Sequence, residues 1–108
     1  MTSITVIKEE QRITAFTCNG HAGYARASED IVCAAISMLV INTINSIEAL
    51  TKTVPIVETD QQSGYIHCSF EDDITDEAAL LLDSMILGLS QIKEQYGTTY
   101  IDVKIKEV

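Results

Sequence analysis

The segment from Cys18 to Ser37 constrains the fold of this chain more than any other part of it. Its first part is punctuated by Gly20 and Gly23 and keeps no sustained period, which predicts a loop over residues 19–29. Asp30 then stands where a helix N-cap is expected. Apolar residues follow at helical spacing: Ile31, Val32, Ile36, Leu39, Val40, Ile44, Ile47 and Leu50. This pattern predicts a long helix, and we expect its first half, which is apolar nearly all round, to be buried.

The remaining patterns predict five strands and a second helix. Strands are expected at residues 3–8, 12–18, 56–57, 65–70 and 99–108, with a short hairpin turn over residues 9–11 and a turn over residues 61–64. The caps and first-turn acids of the second helix come from Asp72-Asp73 and Thr75-Asp76-Glu77, and Gly97 ends it. Gly88 inside that helix indicates close packing. The predicted fold class is therefore α+β: one domain over residues 1–108, a two-layer sandwich of order ββαββαβ with a largely antiparallel sheet and two helices on one face.

Composition and charge exclude several kinds of partner. A chain of 108 residues with a net charge of −9 lacks the clustered basic residues that grip a phosphate backbone, so we expect no direct binding of nucleic acid. The same charge would attract a basic protein segment, although a solvated acidic surface alone would also explain it. We find no apolar run near the roughly 20 residues that a membrane span needs, and no leader pattern. We therefore expect a cytoplasmic, soluble protein whose three cysteines are reduced.

Cys33 is the candidate nucleophile of the chain. In the first turn of the predicted helix its thiol would face unpaired N–H groups and the positive end of the helix dipole, which favour the thiolate. His21, twelve positions earlier on a flexible loop, could fold back and act as a general base. Ser37 lies one turn later on the same face, and Asp30 is either a helix cap or a third catalytic group that orients the imidazole. The pattern favours a thiol hydrolase, against the alternatives of an inert core cysteine and an unpartnered surface histidine.

A metal site is the other chemistry that these side chains could support. Cys18, His67 and Cys68 could join His21 and Cys33 around zinc, but their spacing lacks the paired signatures of zinc sites. His67 and Cys68 are adjacent on a predicted strand and would point to opposite faces. We therefore predict no metal and no cofactor, with Cys68 in the core and Cys18 packed at a strand end.

Two runs of residues resemble the ribosomal-processing cysteine protease family of bacteria. They are Gly20-His21-Ala22-Gly23-Tyr24-Ala25 and Asp30-Ile31-Val32-Cys33-Ala34-Ala35-Ile36-Ser37. The resemblance implies a catalytic dyad of His21 and Cys33, with Asp30 and Ser37 as supporting residues. It also implies a homodimer that trims the N-terminal extension of large-subunit ribosomal protein twenty-seven. One departure is Ser28, which stands where the family usually has glycine.

The glycine-punctuated loop is the predicted contact for the substrate. An extended peptide passing over it would bind through its backbone, and the residues expected to meet it are Gly20, Ala22, Gly23, Tyr24 and Ala25. A rival interpretation is a module without catalytic activity that grips a basic ribosomal protein through the same loop and acidic surface. Under either interpretation we expect no membrane partner.

Overall fold

A computed structural model of the chain describes residues 1–26 and 29–108. The elements in chain order are β1 (Thr2–Glu9), β2 (Arg12–Asn19), α1 (Ile31–Leu50), β3 (Pro55–Asp60), β4 (Tyr65–Phe70), α2 (Asp76–Tyr96) and β5 (Ile101–Glu107). The predicted order ββαββαβ is confirmed. Ser28, the predicted departure from the family pattern, lies outside the described residues.

The five strands form one sheet in the order β3-β4-β2-β1-β5. Neighbouring strands pair antiparallel except β1 and β5, which run parallel, with Ile4 opposite Val103. The predicted α+β class with a largely antiparallel sheet is therefore confirmed. The strand pairing also brings β4 beside β2, and this pairing places the turn after β3 next to the end of β2.

The hairpin between β1 and β2 forms without a glycine. Glu10 and Gln11 are its two turn residues, and both adopt positive φ angles, of 51° and 70°. Two residues in the left-handed region match the right-handed twist of the flanking strands, which is why such turns usually recruit Asn-Gly. The predicted hairpin is confirmed, although its residues carry no strong turn signal.

The hydrophobic core lies between the sheet and the two helices. Buried side chains come from alternate strand positions and from one stripe of each helix: Ile4, Val6, Phe16, Cys18, Cys68 and Ile101 from the sheet, Val32, Ile36, Val40, Ile44 and Ile47 from α1, and Leu82, Met85, Leu89 and Ile92 from α2. Gly88 packs against Leu39, and a Cβ at position 88 would lie 2.9 Å from the Leu39 Cδ1 atom. The close packing predicted for Gly88 is confirmed.

The first half of α1 is not buried all round, and that prediction is wrong. Ile31 is 55% exposed and Met38 is 67% exposed. The helix lies on the sheet as one of two layers, so its outer face has no covering element within the described part of the chain. The alternating residues of β5 predict a buried face that includes Ile105, but Ile105 is 51% exposed, and β5 is an edge strand of the sheet.

The length and composition of α1 also differ from expectation. Its 20 residues, with a mean hydropathy of 1.7, meet the minimum for crossing a bilayer. Core helices meet the same minimum, and α1 carries a buried stripe that packs in the core. Length and hydropathy are therefore weak evidence that α1 spans a membrane. Polar residues such as Asn42 and Asn45 interrupt the apolar run of α1, which is why the sequence predicts no membrane span there.

Candidate active site

Asp30 fixes the start of α1 and the end of the preceding loop together. Its Oδ1 atom accepts from the Cys33 N–H at 2.8 Å, which is the capping bond expected of an N-cap carboxylate. Its Oδ2 atom accepts from the main-chain N–H groups of Tyr24, at 3.0 Å, and Ala25, at 3.5 Å. The side chain is only 6% exposed. Asp30 is thus a helix cap, as predicted, and it also ties the loop to the helix.

The ionisation of Asp30 reflects these contacts. Burial by itself would raise the pKa of this carboxyl, but hydrogen bonds from the N–H groups of Cys33, Tyr24, Ala25 and Val32 outweigh it and lower the pKa below 3.8. Asp30 is therefore a carboxylate near neutral pH. A permanent anion at this position stabilises the helix dipole and holds the loop residues in place.

Cys33 lies in the first turn of α1, where its side chain is partly exposed. The N–H groups around it are not unpaired as the sequence predicted. The Cys33 N–H donates to the Asp30 carboxylate, and the Ala34 N–H donates to the Asp30 carbonyl at 3.0 Å. The positive end of the helix is thus partly offset by the Asp30 anion, so the dipole contributes less to the thiolate than a free helix start would.

A cleft of about 400 Å³ opens beside Cys33, between α1 and the β2–β3–β4 side of the sheet. Ser37 lines it one helical turn beyond Cys33, so the predicted shared face is confirmed. His21 also lines the cleft, which therefore brings the thiol and the imidazole to the same space. The rest of its wall is mainly apolar: Ile36, Ile41, Ile44, Val57 and Ile66. Such a cleft can hold an extended peptide and leave room for its apolar side chains.

The His21 imidazole is exposed and is held by a neighbouring turn. Its Nε2 atom lies 3.1 Å from the main-chain oxygen of Gln62, in the turn between β3 and β4. The sequence pattern identified that turn, but nothing in it indicated contact with His21, which lies 41 positions away in the chain. Only the pairing of β2 with β4 brings the two together.

The predicted peptide-binding loop divides into two parts in the structure. Gly20 lines the cleft beside His21. Ala22 is buried in the core at 2% exposure, and the ring of Tyr24 packs edge-on against Tyr96 and Tyr100 with centroid distances of 5.6 and 5.2 Å. Gly23 and Ala25 are exposed, and neither is among the residues that line the cleft. The role of this loop in substrate binding stays a prediction.

The other two cysteines occupy less reactive surroundings. Burial first, and then the charge of nearby Cys33, raise the pKa of Cys18 to about 11. Burial raises the pKa of Cys68 to about 12. Both thiols are buried, as predicted for core and strand-end positions. Within residues 1–26 and 29–108, no group of three or more His, Cys, Asp or Glu side chains is arranged to hold a metal ion.

A two-layer α+β fold whose cleft holds a cysteine at a capped helix start and a histidine on the facing loop defines a protein of the cysteine protease class. The family described as "Cysteine protease Prp" matches residues 1–102. This chain belongs to the Prp family of cysteine proteases.

Individual relatives agree with that assignment. The ribosomal processing cysteine protease Prp of Staphylococcus aureus is 33% identical over 91 residues, which cover 84% of this chain and 86% of the relative. The crystal structure of the Staphylococcus aureus Prp with a covalently linked product peptide has a TM-score of 0.91 and 31% identity, over 98% of this chain and 100% of that one. The same enzyme with a substrate peptide has a TM-score of 0.86 and 30% identity, over 98% and 100% of the two chains.

Proposed function

We propose that this protein removes the N-terminal extension of large-subunit ribosomal protein twenty-seven during ribosome assembly in the cytoplasm. Cys33 is the nucleophile and His21 is the general acid and base. The observation that carries the proposal is that His21 and Cys33 line one cleft although eleven residues separate them in the chain. Membership of the Prp family supports both the reaction and the choice of a ribosomal substrate.

The reaction proceeds in two stages. The Cys33 thiol gives its proton to the His21 imidazole, and the sulfur attacks the carbonyl carbon of the scissile peptide bond. The imidazolium then protonates the leaving amine as the C–N bond breaks, which leaves an acyl group on Cys33. Water, deprotonated by His21, hydrolyses that thioester and frees the enzyme. Asp30 supports this chemistry by holding the first turn of α1 in place.

The negative charge on the oxygen of the tetrahedral intermediate needs a hydrogen-bond donor other than the Cys33 N–H. That group already donates to the Asp30 carboxylate at 2.8 Å, and using it for the oxyanion would break the helix cap. Because the Asp30 anion offsets the helix dipole at Cys33, the imidazole has the larger share in activating the sulfur. Ser37, on the same side of the cleft, is a supporting polar residue that is within the space of the bound peptide.

The substrate is an extended peptide with apolar side chains on a basic protein. The apolar part of the cleft wall, from α1 and β3, accepts side chains next to the scissile bond, while the net charge of −9 favours approach of a basic segment. In support, the Staphylococcus aureus relative has been solved with a substrate peptide and with a covalently linked product peptide.

The test is incubation of the protein with the extended ribosomal protein, followed by mass spectrometry of the products. The wild type should cleave it once, and Cys33→Ala and His21→Ala should not. Cys68→Ala and His67→Ala are matched controls, because they remove the same side-chain types from the core and from the sheet away from the cleft. These controls should retain cleavage.

Three results would contradict the proposal. Absence of cleavage by the wild type would end the claim for this substrate, and tight binding without cleavage would favour the module without catalytic activity. Cleavage by Cys33→Ala at the wild-type rate would show that another group is the nucleophile.

A further inference from the structure

The contact between His21 and Gln62 determines which ring nitrogen carries the proton. The Gln62 oxygen is a carbonyl, which accepts hydrogen bonds and never donates them, so the Nε2 atom at 3.1 Å must be protonated. In the neutral imidazole the lone pair is then on Nδ1. This tautomer leaves Nδ1 as the atom that can take a proton from a thiol.

The turn that carries this carbonyl is internally braced. Asp60 Oδ1 accepts from the Gln62 N–H at 3.0 Å, and the Gly64 N–H donates to the Gln61 oxygen at 3.3 Å. The Asp60 contact spans two residues and fixes the peptide just before the Gln62 carbonyl. The direction in which that carbonyl points is therefore set by the turn and not by the Gln62 side chain.

At Gly64 the turn lies in close contact with Gly20 and His21, just after the end of β2. Its φ is +69°, and a Cβ there would lie 2.7 Å from the Gly20 oxygen and 3.1 Å from the His21 Cε1 atom. Any residue other than glycine would be strained by its backbone and would push the turn away from the ring.

The other side of this strand end is fixed by the N-terminus. Gly20 has a φ of +92°, and a Cβ there would lie 2.7 Å from the Met1 oxygen. The Thr2 hydroxyl donates to the Gly20 oxygen at 3.3 Å. Gly20, the residue before His21, is thus held between the start of β1 and the turn after β3. Because its backbone is fixed in this way, the His21 ring can occupy few positions.

We propose that the main-chain carbonyl of Gln62 is the positioning group of the catalytic histidine, which holds His21 in the tautomer with a free Nδ1 atom and keeps it aimed into the cleft. In the reaction the Sγ–H bond of Cys33 breaks and an Nδ1–H bond forms on His21. The Nε2–H group stays hydrogen-bonded to the Gln62 oxygen throughout. The same proton leaves Nδ1 for the amine when the peptide bond breaks. In other cysteine and serine hydrolases a side-chain carboxylate or amide orients the histidine, and here a turn takes that role. The inference rests on the proposed function of His21.

The first experiment needs no substitution that could unfold the protein. Nitrogen-15 NMR of the His21 ring in the wild type, above the pH at which the ring is charged, should show a protonated Nε2 and an unprotonated Nδ1. The His67→Gln variant removes the other ring and assigns the signals. A dominant Nδ1–H tautomer overturns the proposal. This measurement does not use the ribosomal protein, so it separates failure of the positioning role from failure of the proposed function.

The second experiment displaces the turn. Gly64→Ala should lower kcat about fivefold to tenfold, the loss expected for one hydrogen bond, with little change in KM and with a mixed ring tautomer. Gly97→Ala is the matched control, because Gly97 also has a positive φ, of +103°, but a Cβ there meets nothing within 4 Å. Gly97→Ala should keep the wild-type kcat and tautomer. Equal kcat in the two variants overturns the proposal.

A further pair of variants decides the question if Gly64→Ala does not fold. Asp60→Ala removes the acceptor for the Gln62 N–H, whereas Asp60→Asn retains an oxygen there. We expect Asp60→Ala to lower kcat and to slow iodoacetamide labelling of Cys33, and Asp60→Asn to recover part of both. An Asp60→Ala variant with the wild-type tautomer, kcat and labelling rate overturns the proposal.

Discussion

The two helices of this protein begin in the same way, yet the residues held by their caps lie in different surroundings. At the start of α1 the Asp30 side chain accepts from the N–H three residues on, which belongs to Cys33. At the start of α2 the Thr75 hydroxyl accepts from the N–H three residues on, which belongs to Ala78. The residue at this third position is partly exposed in α1, where Cys33 lines the same cleft as His21, and completely buried in α2, where Ala78 is 0% exposed.

The difference lies in what surrounds each start. The first turn of α2 carries Asp76 and Glu77, whose exposed negative charges stabilise the positive end of the helix dipole. The first turn of α1 has no acidic side chain. The anion that caps α1 is Asp30, which is buried and bound to the preceding loop. A capped helix start is therefore a common structural feature. The start of α1 is a candidate active site because the preceding loop, the cleft and His21 all lie there.

The largest expected effect comes from moving the thiol between the two helix starts. Cys33→Ala should lower kcat/KM by about 10³-fold or more, because the covalent step is lost. Adding Ala78→Cys to that variant should restore nothing, since position 78 is buried in the core and does not line the cleft that holds His21. Cleavage assays on both variants check this. Recovery of activity in the double variant would show that a capped helix start alone suffices.

The next effect concerns how fast each native thiol reacts. Iodoacetamide at pH 7 should label Cys33 at least about 100-fold faster than Cys18 or Cys68, because the pKa of each buried thiol is raised, from 9.0 to about 11 in Cys18 and to about 12 in Cys68. Peptide mapping by mass spectrometry gives the three rates. Comparable rates for all three would remove the contrast between Cys33 and the buried positions.

The fold was largely predictable because its signals are local. The alternation in β4 and the cap of α2 at Thr75 each follow from a few neighbouring residues, and both appear where they were predicted. The exposure of Met38 was not predictable, since a pattern of apolar residues does not reveal that α1 has a single covered face. Whether an apolar residue is buried depends on the number of layers, which periodicity does not encode.

The candidate site was predictable in its residues but not in its connections. Cys33 and His21 are recognisable by residue type and by the elements that carry them. The sequence predicts the Asp30 cap, and so its bond to the Cys33 N–H. It gives no sign that the same anion binds the Tyr24 N–H or that Gln62 contacts His21, because these contacts depend on how the loop and the turn fold against their neighbours. The prediction of unpaired N–H groups at Cys33 is wrong because the cap and the first helical bond, both from Asp30, occupy the N–H groups of Cys33 and Ala34.

The third prediction compares the two caps by their effect on stability. Asp30→Ala should lower the free energy of unfolding by about 2–4 kcal/mol, because one buried carboxylate accepts from three N–H groups. Thr75→Ala should cost about 1 kcal/mol, the usual loss for one cap. Urea unfolding followed by circular dichroism measures both. Equal costs would show that the loop contacts of Asp30 contribute nothing to stability.

The smallest effect is the pH dependence of these two costs. The pKa of Asp30 is lower in the folded state than its ordinary value of 3.8. The stabilisation from its charge is therefore fully present above that value, and it is lost as the pH falls through the folded-state pKa. The Asp30→Ala cost should shrink when unfolding is measured at acid pH, while the Thr75→Ala cost, which involves no ionisable group, should stay constant. If both costs shrink together, the loss reflects general acid destabilisation of the sheet and helices, and the charge on Asp30 is not what distinguishes the start of α1 from that of α2.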